Sequence, residues 1–262
     1  MQKILIKIGG SMINSEKFLT EISTGISDLI KKNYAVSVVH GGGKDINEEL
    51  ERLNKEFQFI GGQRVTDIET AFAVQRVLSG GVNKKIVNEF LKNGINAVGI
   101  SGVDGNTATA KKLLGDNETD LGFVGEIVNV NTKLLDLLSQ NEFVSVISPV
   151  SRDGSGNIYN INADGAASEI AVALKVDDLI FVSDVTGVKI GGKIAREIEI
   201  DEIEKFIETG EITGGMIPKL RGAADAIKKG VKRVHICGWN NEKTLIDEIS
   251  RNSTGTTVYQ KN

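Results

Sequence analysis

Short apolar runs alternate with stretches of helical periodicity along the whole chain. The runs are rich in Val and Ile and are closed by Gly, Asn or Asp, which is typical of buried strands. They cover residues 4–8, 35–40, 96–100, 107–114, 123–130, 143–148, 179–183, 231–237 and 256–259. Between them, apolar residues recur with the period of an amphipathic helix, for example at 16–32, 82–91, 200–207 and 241–249. This alternation predicts βαβ units and an α/β fold with a mainly parallel sheet.

Two of the predicted strands end in glycines. The strand at 4–8 carries one lysine, Lys7, and is followed by Gly9-Gly10, and the strand at 35–40 ends in Gly41-Gly42-Gly43 before a helical pattern. Such strand ends can lie side by side and expose backbone N–H groups and a helix N-terminus, which bind carboxylates and phosphates. Lys7 then suits an anionic ligand, although a lysine that only snorkels at the sheet margin is an equal alternative on this stretch alone.

A polar segment around Arg64 precedes the next helical pattern. Arg64 could bind a carboxylate with two of its guanidinium nitrogens, or it could be a solvated surface side chain. Thr66 and Glu69 have the spacing of a capping box, so we expect them to start the helix. Gly80-Gly81 predicts a break before a second helix at 82–91.

Asn160, Asn162 and Asp164 form a second polar group, ahead of an alanine-rich helix that ends near Leu174. In an extended chain these three side chains lie on one side, and packing alone does not explain them. Asp164 could be the N-cap of the helix, but a cap leaves the two asparagines unexplained.

Two loops of the second half of the chain suit a nucleotide. The loop at 184–188 follows a buried strand, at the edge where open α/β sheets bind ligands. The loop at 209–215 is rich in Gly and Thr and precedes a helix with Pro218 in its first turn. Lys219 therefore lies near a positive helix end, which is unfavourable for a lysine unless an anion is present.

Composition limits the remaining classes of function. The chain has 262 residues, a net charge of -4 and 5% aromatic residues, which gives no electrostatic footprint for nucleic acid. No apolar run approaches the roughly 20 residues of a membrane span. The single cysteine excludes an intramolecular disulfide framework and agrees with a reducing cytoplasm. One cysteine and two histidines also leave few ligands for a zinc site. The P-loop, the protein-kinase motifs and the dinucleotide fingerprint are missing, yet two lysines, a carboxylate and glycine-lined strand ends suit phosphoryl transfer.

With these motifs in place, the chain resembles the N-acetylglutamate kinases of the amino acid kinase family. The resemblance extends over essentially the whole length, and its motifs occur in the family's order. They are Lys7-Ile8-Gly9-Gly10, His40-Gly41-Gly42-Gly43, Arg64-Val65-Thr66-Asp67, Val82-Asn83-Lys84, Asn160-Ile161-Asn162-Ala163-Asp164 and Gly214-Gly215-Met216-Ile217-Pro218-Lys219. The resemblance implies a three-layer αβα sandwich around an open sheet. It also implies an N-terminal lobe at 1–174 for the acyl amino acid and a C-terminal lobe at 175–262 for ATP.

The resemblance further implies a role for each motif. Lys7 and Lys219 would neutralise the transferring γ-phosphoryl group, and Asp164 would hold both lysines. N-acetyl-L-glutamate would be bound by Gly42, Gly43, Arg64 and Asn160, with Arg64 on its α-carboxylate. The nucleotide would be bound by Gly9, Gly10, Ser183, Asp184, Val185, Thr186, Gly187, Val188, Glu211, Ile212 and Thr213. Mg²⁺ would keep mainly phosphate and water ligands, and the product would be an acyl phosphate early in arginine biosynthesis.

Two departures from the family pattern affect these expectations. Gln63 replaces the apolar residue that the family usually has before the arginine, so the resemblance does not define which acyl group the pocket accepts. The chain begins at its first strand, without the N-terminal helix that accompanies the arginine-inhibited hexamers of the family. We therefore expect a cytoplasmic homodimer that is insensitive to arginine. We expect its two copies to be joined through the helices between Asp67 and Leu91. The alternatives are a sister kinase acting on glutamate or aminoadipate attached to a carrier protein, and a non-catalytic binder of nucleotides or oxyanions.

Overall fold

A computed structural model describes residues 1–250 and 252–261. Its strands are β1 (Gln2–Ile8), β2 (Tyr34–His40), β3 (Phe59–Ile60), β4 (Gln63–Arg64), β5 (Ala97–Ser101), β6 (Ala108–Leu114), β7 (Asp120–Val130), β8 (Val144–Ser148), β9 (Val150–Arg152), β10 (Ile158–Ile161), β11 (Asp178–Ser183), β12 (Lys189–Ile190), β13 (Lys193–Ile194), β14 (Glu197–Glu199), β15 (Arg233–Gly238) and β16 (Thr256–Tyr259). Its α-helices are α1 (Glu16–Lys31), α2 (Gly43–Arg52), α3 (Ile68–Gln75), α4 (Asn83–Lys92), α5 (Lys133–Gln140), α6 (Ala163–Leu174), α7 (Ile203–Glu208), α8 (Met216–Lys228) and α9 (Thr244–Ile249).

The largest sheet has eight strands in the order β14-β16-β15-β11-β1-β2-β8-β5. All of its pairings are parallel except that of β15 with β16. Strand β1 lies between β11 and β2, so the first strand of the chain joins the two halves of the sheet. The predicted α/β fold with a mainly parallel sheet is confirmed.

Helices cover both faces of this sheet, as the three-layer sandwich requires. Because side chains alternate along a strand, the isoleucines of β1 face one layer and Leu5 and Lys7 face the other. Ile4, Ile6 and Ile8 pack with apolar residues of α1, α4 and α9. Leu5 packs with residues of α6 and α8. Lys7 therefore lies on the face that α6 and α8 cover, and its position in the strand determines which helices it can meet.

The two predicted strands at 107–114 and 123–130 pair as the antiparallel ribbon β6–β7. This ribbon does not extend the main sheet. It belongs to a separate four-stranded sheet, closed in the order β10-β7-β6-β9, in which β9 and β10 form an antiparallel hairpin. The Asp153 carboxylate holds the hairpin turn by accepting hydrogen bonds from the amides of Ser155 and Asn157.

Two local predictions between β4 and α4 are wrong. The N-cap of α3 is Asp67, whose Oδ1 accepts the Thr70 amide at 2.8 Å. Thr66 is buried and donates its hydroxyl to the Arg64 carbonyl instead, and Glu69 forms an ion pair with Lys55. The Asp67 carboxylate satisfies the helix amide, while the Thr66 side chain is turned back to the Arg64 carbonyl, so Thr66 does not cap the helix.

The predicted break at Gly80-Gly81 does not occur either. A π-helical segment, Arg76–Val82, joins α3 to α4. Leu78 and Val82 are buried on both sides of the glycine pair, and their packing outweighs the weak helix propensity of glycine. Among the described residues, no helix is both long enough and apolar enough to cross a membrane.

Candidate active site

Lys7 and Lys219 meet at one carboxylate, that of Asp164. The Lys7 Nζ lies 2.7 Å from Asp164 Oδ1, and the Lys219 Nζ lies 2.6 Å from Asp164 Oδ2. The two lysine side chains are only 12% and 13% exposed. Three distant parts of the chain, β1, α6 and α8, thus contribute one charged side chain each to a single ion-pair triad.

The start of α6 explains why Asp164 is available for this contact. Asn162 is the N-cap, and its Oδ1 accepts hydrogen bonds from the amides of Asp164 and Gly165 at 2.9 and 3.1 Å. The alternative that Asp164 is itself the N-cap is therefore wrong. Because Asn162 satisfies the helix end, the Asp164 carboxylate remains free to bind the two lysines.

The two lysines also determine the charge of Asp164. Burial alone would raise the pKa of this carboxyl group, but the positive charges of Lys7 and Lys219 outweigh burial and hold its pKa below the ordinary value. Asp164 is therefore ionised near neutral pH. The triad carries a net positive charge in a poorly solvated place, which favours an anionic ligand.

Lys219 lies in the first turns of α8. Its Nζ is 4.9 Å from the centre of the Phe181 ring, and Phe181 is the residue of β11 that pairs with Lys7 in the sheet. No side chain caps the start of α8 at Gly215. The Met216 and Ile217 amides of that turn donate to the carbonyls of Thr213 and Gly214, and Pro218 has no N–H, so the turn contributes the partial positive charge of the helix dipole beside the lysine.

The two glycine turns lie against each other, as predicted. A Cβ atom on Gly10 would come within 2.6 Å of the Gly42 nitrogen, so a larger residue would force the turns apart. Gly42 is the N-cap of α2 and makes no side-chain capping contact. The first amides of α2 are therefore available to an anion next to Gly9-Gly10.

His40 and Asn83 support the second glycine turn. The buried His40 ring contacts the Gly41 carbonyl through Nδ1 at 2.8 Å and the Asn83 amide nitrogen through Nε2 at 3.2 Å. Asn83 also donates to the Val146 carbonyl of β8 at 2.9 Å. This network is consistent with a neutral imidazole protonated on Nδ1. The sequence predicted neither residue's contact, and only their presence in the quoted motifs singled them out.

Arg64 is buried without a carboxylate partner. It is 5% exposed, and its Nη2 donates to the Asn47 side chain and, at 3.3 Å, to the Gly43 carbonyl. Its Nη1 is buried and has no hydrogen-bond partner, and no ion pair with Arg64 occurs within residues 1–250 and 252–261. Burial lowers the pKa of this guanidinium, but an arginine keeps its proton at physiological pH. Its charge therefore lacks a counter-ion.

Asn160 is linked to Arg64 through Thr66. The Asn160 amide donates to the Thr66 hydroxyl at 3.4 Å, and that hydroxyl donates to the Arg64 carbonyl at 2.7 Å. Since Arg64 also reaches the Gly43 carbonyl, the residues predicted for the acyl amino acid form one connected group beside the glycine turns.

Two adjoining clefts contain the residues predicted for the nucleotide. The first, of about 490 Å³, is lined by Lys7, Gly9, Gly10, Ser11, Ser183, Asp184, Val185, Gly215, Met216 and Lys219. The second, of about 430 Å³, is lined by Asp184, Val185, Thr186, Gly187, Val188, Lys189, Glu211, Ile212, Thr213 and Met216. They share the lining residues Asp184, Val185 and Met216, so they adjoin each other. Ser183 adds a buried hydroxyl without a partner, which is available to a ligand oxygen.

Acidic side chains are sparse in this region. Within the part of the chain that the structure describes, no group of three or more His, Cys, Asp or Glu side chains could hold a metal ion. Asp164 is already engaged by two lysines. The donor set fits a Mg²⁺ ion that enters with a phosphate chain and keeps phosphate and water ligands, because Mg²⁺ loses its water reluctantly.

Comparison with known proteins identifies the family of the chain. A sequence profile of the amino acid kinase family matches residues 2–238. The chain therefore belongs to the amino acid kinase family.

Three individual proteins are similar to this chain over nearly its whole length. The acetylglutamate kinase of Caldicellulosiruptor bescii is 44% identical, over 98% of this chain and 90% of the relative. A crystal structure of a Streptococcus mutans protein is 26% identical and superposes with a TM-score of 0.84, covering 99% of both chains. The N-acetylglutamate synthase of Neisseria gonorrhoeae is 20% identical, with a TM-score of 0.88 over 100% of this chain and 60% of that protein, and shares the fold.

The buried His40 predicts a dependence of stability on pH. Burial lowers the pKa of His40 from 6.5 to about 4, so between these values the unfolded chain binds the proton more readily than the folded protein does. The contribution of His40 to the free energy of unfolding is complete above pH 6.5 and is lost as the pH falls towards 4. Between pH 7.5 and pH 5 this loss is about 2 kcal/mol. Urea unfolding at the two pH values, for the wild type and for His40→Asn, measures it.

His40→Asn is expected to be less stable at pH 7.5 but to lose about 2 kcal/mol less than the wild type on transfer to pH 5. If both proteins lost the same free energy of unfolding between pH 7.5 and pH 5, the pKa of His40 would not be lowered in the folded protein.

Proposed function

We propose that this kinase transfers the γ-phosphoryl group of ATP to the side-chain carboxylate of N-acetyl-L-glutamate, an early step of arginine biosynthesis. The observation that supports it most is the triad of Lys7, Asp164 and Lys219 beside the first cleft. Two cations held by one carboxylate, next to free amides at the second glycine turn and to the positive end of α8, match a transition state that spreads negative charge over phosphoryl oxygens.

The chemical step would need no general base from the protein. The acceptor carboxylate is ionised near neutral pH and attacks the γ-phosphorus, while the bond from that phosphorus to the bridging oxygen of ADP breaks. ADP leaves with the electron pair, and the product is an acyl phosphate. Lys7 and Lys219 would stabilise the charge on the transferring group, and Asp164 would keep both lysines in position.

The acceptor would lie between the glycine turns and Arg64. The amides at Gly42 and Gly43 would contact the substrate, Asn160 would orient it, and Arg64 would bind its α-carboxylate. The buried Arg64 charge without a counter-ion supports this last assignment, because a bound carboxylate would supply the missing partner of Nη1.

The nucleotide would occupy the two adjoining clefts. The loops at 184–188 and 211–213 would surround the nucleoside, and Gly9, Gly10 and Ser183 would face the phosphates. Bound Mg²⁺ would neutralise phosphate charge during transfer. In this arrangement residues 1–174 form the acceptor lobe and residues 175–262 form the nucleotide lobe.

The carrier-protein alternative differs at Arg64. Arg64 favours an acceptor with a free α-carboxylate, because an acceptor attached to its carrier through that group would leave the buried guanidinium unpaired. A non-catalytic binder would have no need for a second lysine held at 2.6 Å from the same carboxylate as the first. Both arrangements therefore favour a kinase that acts on the free acyl amino acid.

We also propose that the protein is a cytoplasmic homodimer joined through α3 and α4. Ile68 and Phe72 lie one turn apart on α3 and are 48% and 53% exposed, which gives this helix an apolar face without cover in the single chain.

The function is tested by measuring ADP release with ATP and Mg²⁺ and a panel of acceptors. We expect turnover with N-acetylglutamate and much weaker turnover with glutamate, aspartate, N-acetylaspartate and UMP. Arg64→Lys should raise the KM for N-acetylglutamate about tenfold or more, because a lysine cannot make the bidentate contact. No turnover with N-acetylglutamate, or a clear preference for another acceptor, would refute the proposal.

The two lysines are tested by Lys7→Ala and Lys219→Ala. Each is expected to lower kcat by about 100- to 1,000-fold with a much smaller change in the KM values, because the charge they face is largest in the transition state. Lys3→Ala is the matched control, since Lys3 lies on the same strand and is paired with Asp136 away from the clefts. A rise in KM with kcat preserved would contradict the roles of Lys7 and Lys219.

A further inference from the structure

The guanidinium of Arg64 lies against two phenylalanine rings. Its Cζ is 4.9 Å from the centre of the Phe57 ring and 4.6 Å from the centre of the Phe59 ring. The two rings are themselves edge to face, with centroids 6.2 Å apart and planes at 89°. Phe59 and Arg64 are directly opposite each other in the β3–β4 hairpin, so their contact follows from the register of the strands.

The two rings contact Arg64 where a buried arginine usually has an acidic partner. A buried arginine is ordinarily paired with an acidic side chain, because burying an isolated charge is costly. Arg64 has instead two aromatic rings, an amide oxygen and a backbone carbonyl. Aromatic faces stabilise a cation without neutralising it, so the guanidinium keeps its full charge for an external anion.

The hairpin itself is built to hold this contact. Gly61 and Gly62 have φ values of 56° and 78°, which the tight turn between β3 and β4 requires and which favour glycine. The Phe59 ring is 53% exposed, so the interior of the protein does not require a phenylalanine there. An exposed aromatic ring with one side on a buried cation indicates a role in positioning.

We propose that Phe57 and Phe59 form an aromatic clamp that fixes the Arg64 guanidinium and makes the kinase select acceptors with a free α-carboxylate. This inference rests on the proposed function, in which Arg64 binds that carboxylate. The clamp acts in two ways. It holds the side chain in one conformation before the substrate arrives, and it keeps water away, so that the ion pair with the substrate forms in a region of low polarity.

The clamp predicts that aromaticity at position 59 determines discrimination between two acceptors. The probes are N-acetylglutamate and its α-amide, which keeps the reacting side-chain carboxylate but lacks the charge that Arg64 would bind. The quantity measured is the ratio of their kcat/KM values in the ADP-release assay. Phe59→Leu keeps an apolar side chain but removes the ring, and Phe59→Trp keeps a ring.

We expect Phe59→Leu to lower this ratio about tenfold, mainly through a higher KM for N-acetylglutamate, with the KM for ATP unchanged. Phe59→Trp should preserve the ratio. Phe143→Leu is a matched control at another exposed phenylalanine and should preserve it too.

The outcomes separate the clamp from the function. If the wild type does not phosphorylate N-acetylglutamate, the proposed function fails. If it does, but Phe59→Leu leaves the ratio unchanged or lowers both kcat/KM values equally, the hairpin is only structural and the clamp is refuted. Equal losses of the ratio in Phe59→Leu and Phe59→Trp would also refute it, because the ring would then not be the cause.

Discussion

The site depends on a single carboxylate that two lysines share. Asp164 holds Lys7 and Lys219 at 2.7 and 2.6 Å, and without it two like charges would face each other with little solvent. The carboxylate neutralises one of the two charges and leaves the other in excess. A phosphoryl group that gains negative charge during transfer meets this excess, so the same arrangement that makes the free site tolerable can lower the barrier of the reaction.

The fold brings these three residues together through the register of β1. Lys7 lies on the sheet face that α6 and α8 cover, and Leu5, two residues earlier on that face, belongs to the core. The glycines that follow β1 and β2 allow the two turns to contact each other. His40 and Asn83 support the second of these turns by hydrogen bonds. A cationic triad and the uncapped start of α2 thus meet at the carboxyl edge of a parallel sheet, where ligands of such sheets bind.

The general architecture was predictable from the sequence because apolar periodicity and strand-ending glycines are local signals. Lys7, Lys219 and the two glycine turns could be named for the same reason. The features that the sequence did not predict depend on tertiary contacts. Asp67 caps α3 in place of Thr66, because its carboxylate accepts the Thr70 amide while the Thr66 hydroxyl bonds to the Arg64 carbonyl. The helix continues through Gly80-Gly81 because Leu78 and Val82 are buried on both sides of the pair. The contact of the Phe59 ring with Arg64 arises from the pairing of β3 with β4, and strands of two residues are too short to show a pattern in the sequence.

The most direct test of the account is a crystal structure of the protein with ADP, Mg²⁺, aluminium fluoride and N-acetylglutamate, in which the fluoride stands for the transferring phosphoryl group. We expect the Nζ atoms of Lys7 and Lys219 both to lie within hydrogen-bond distance of the fluoride ligands, while Asp164 still bridges the two lysines. A fluoride group bound away from either lysine, or a triad that opens so that Asp164 contacts the metal or the acceptor, would contradict it.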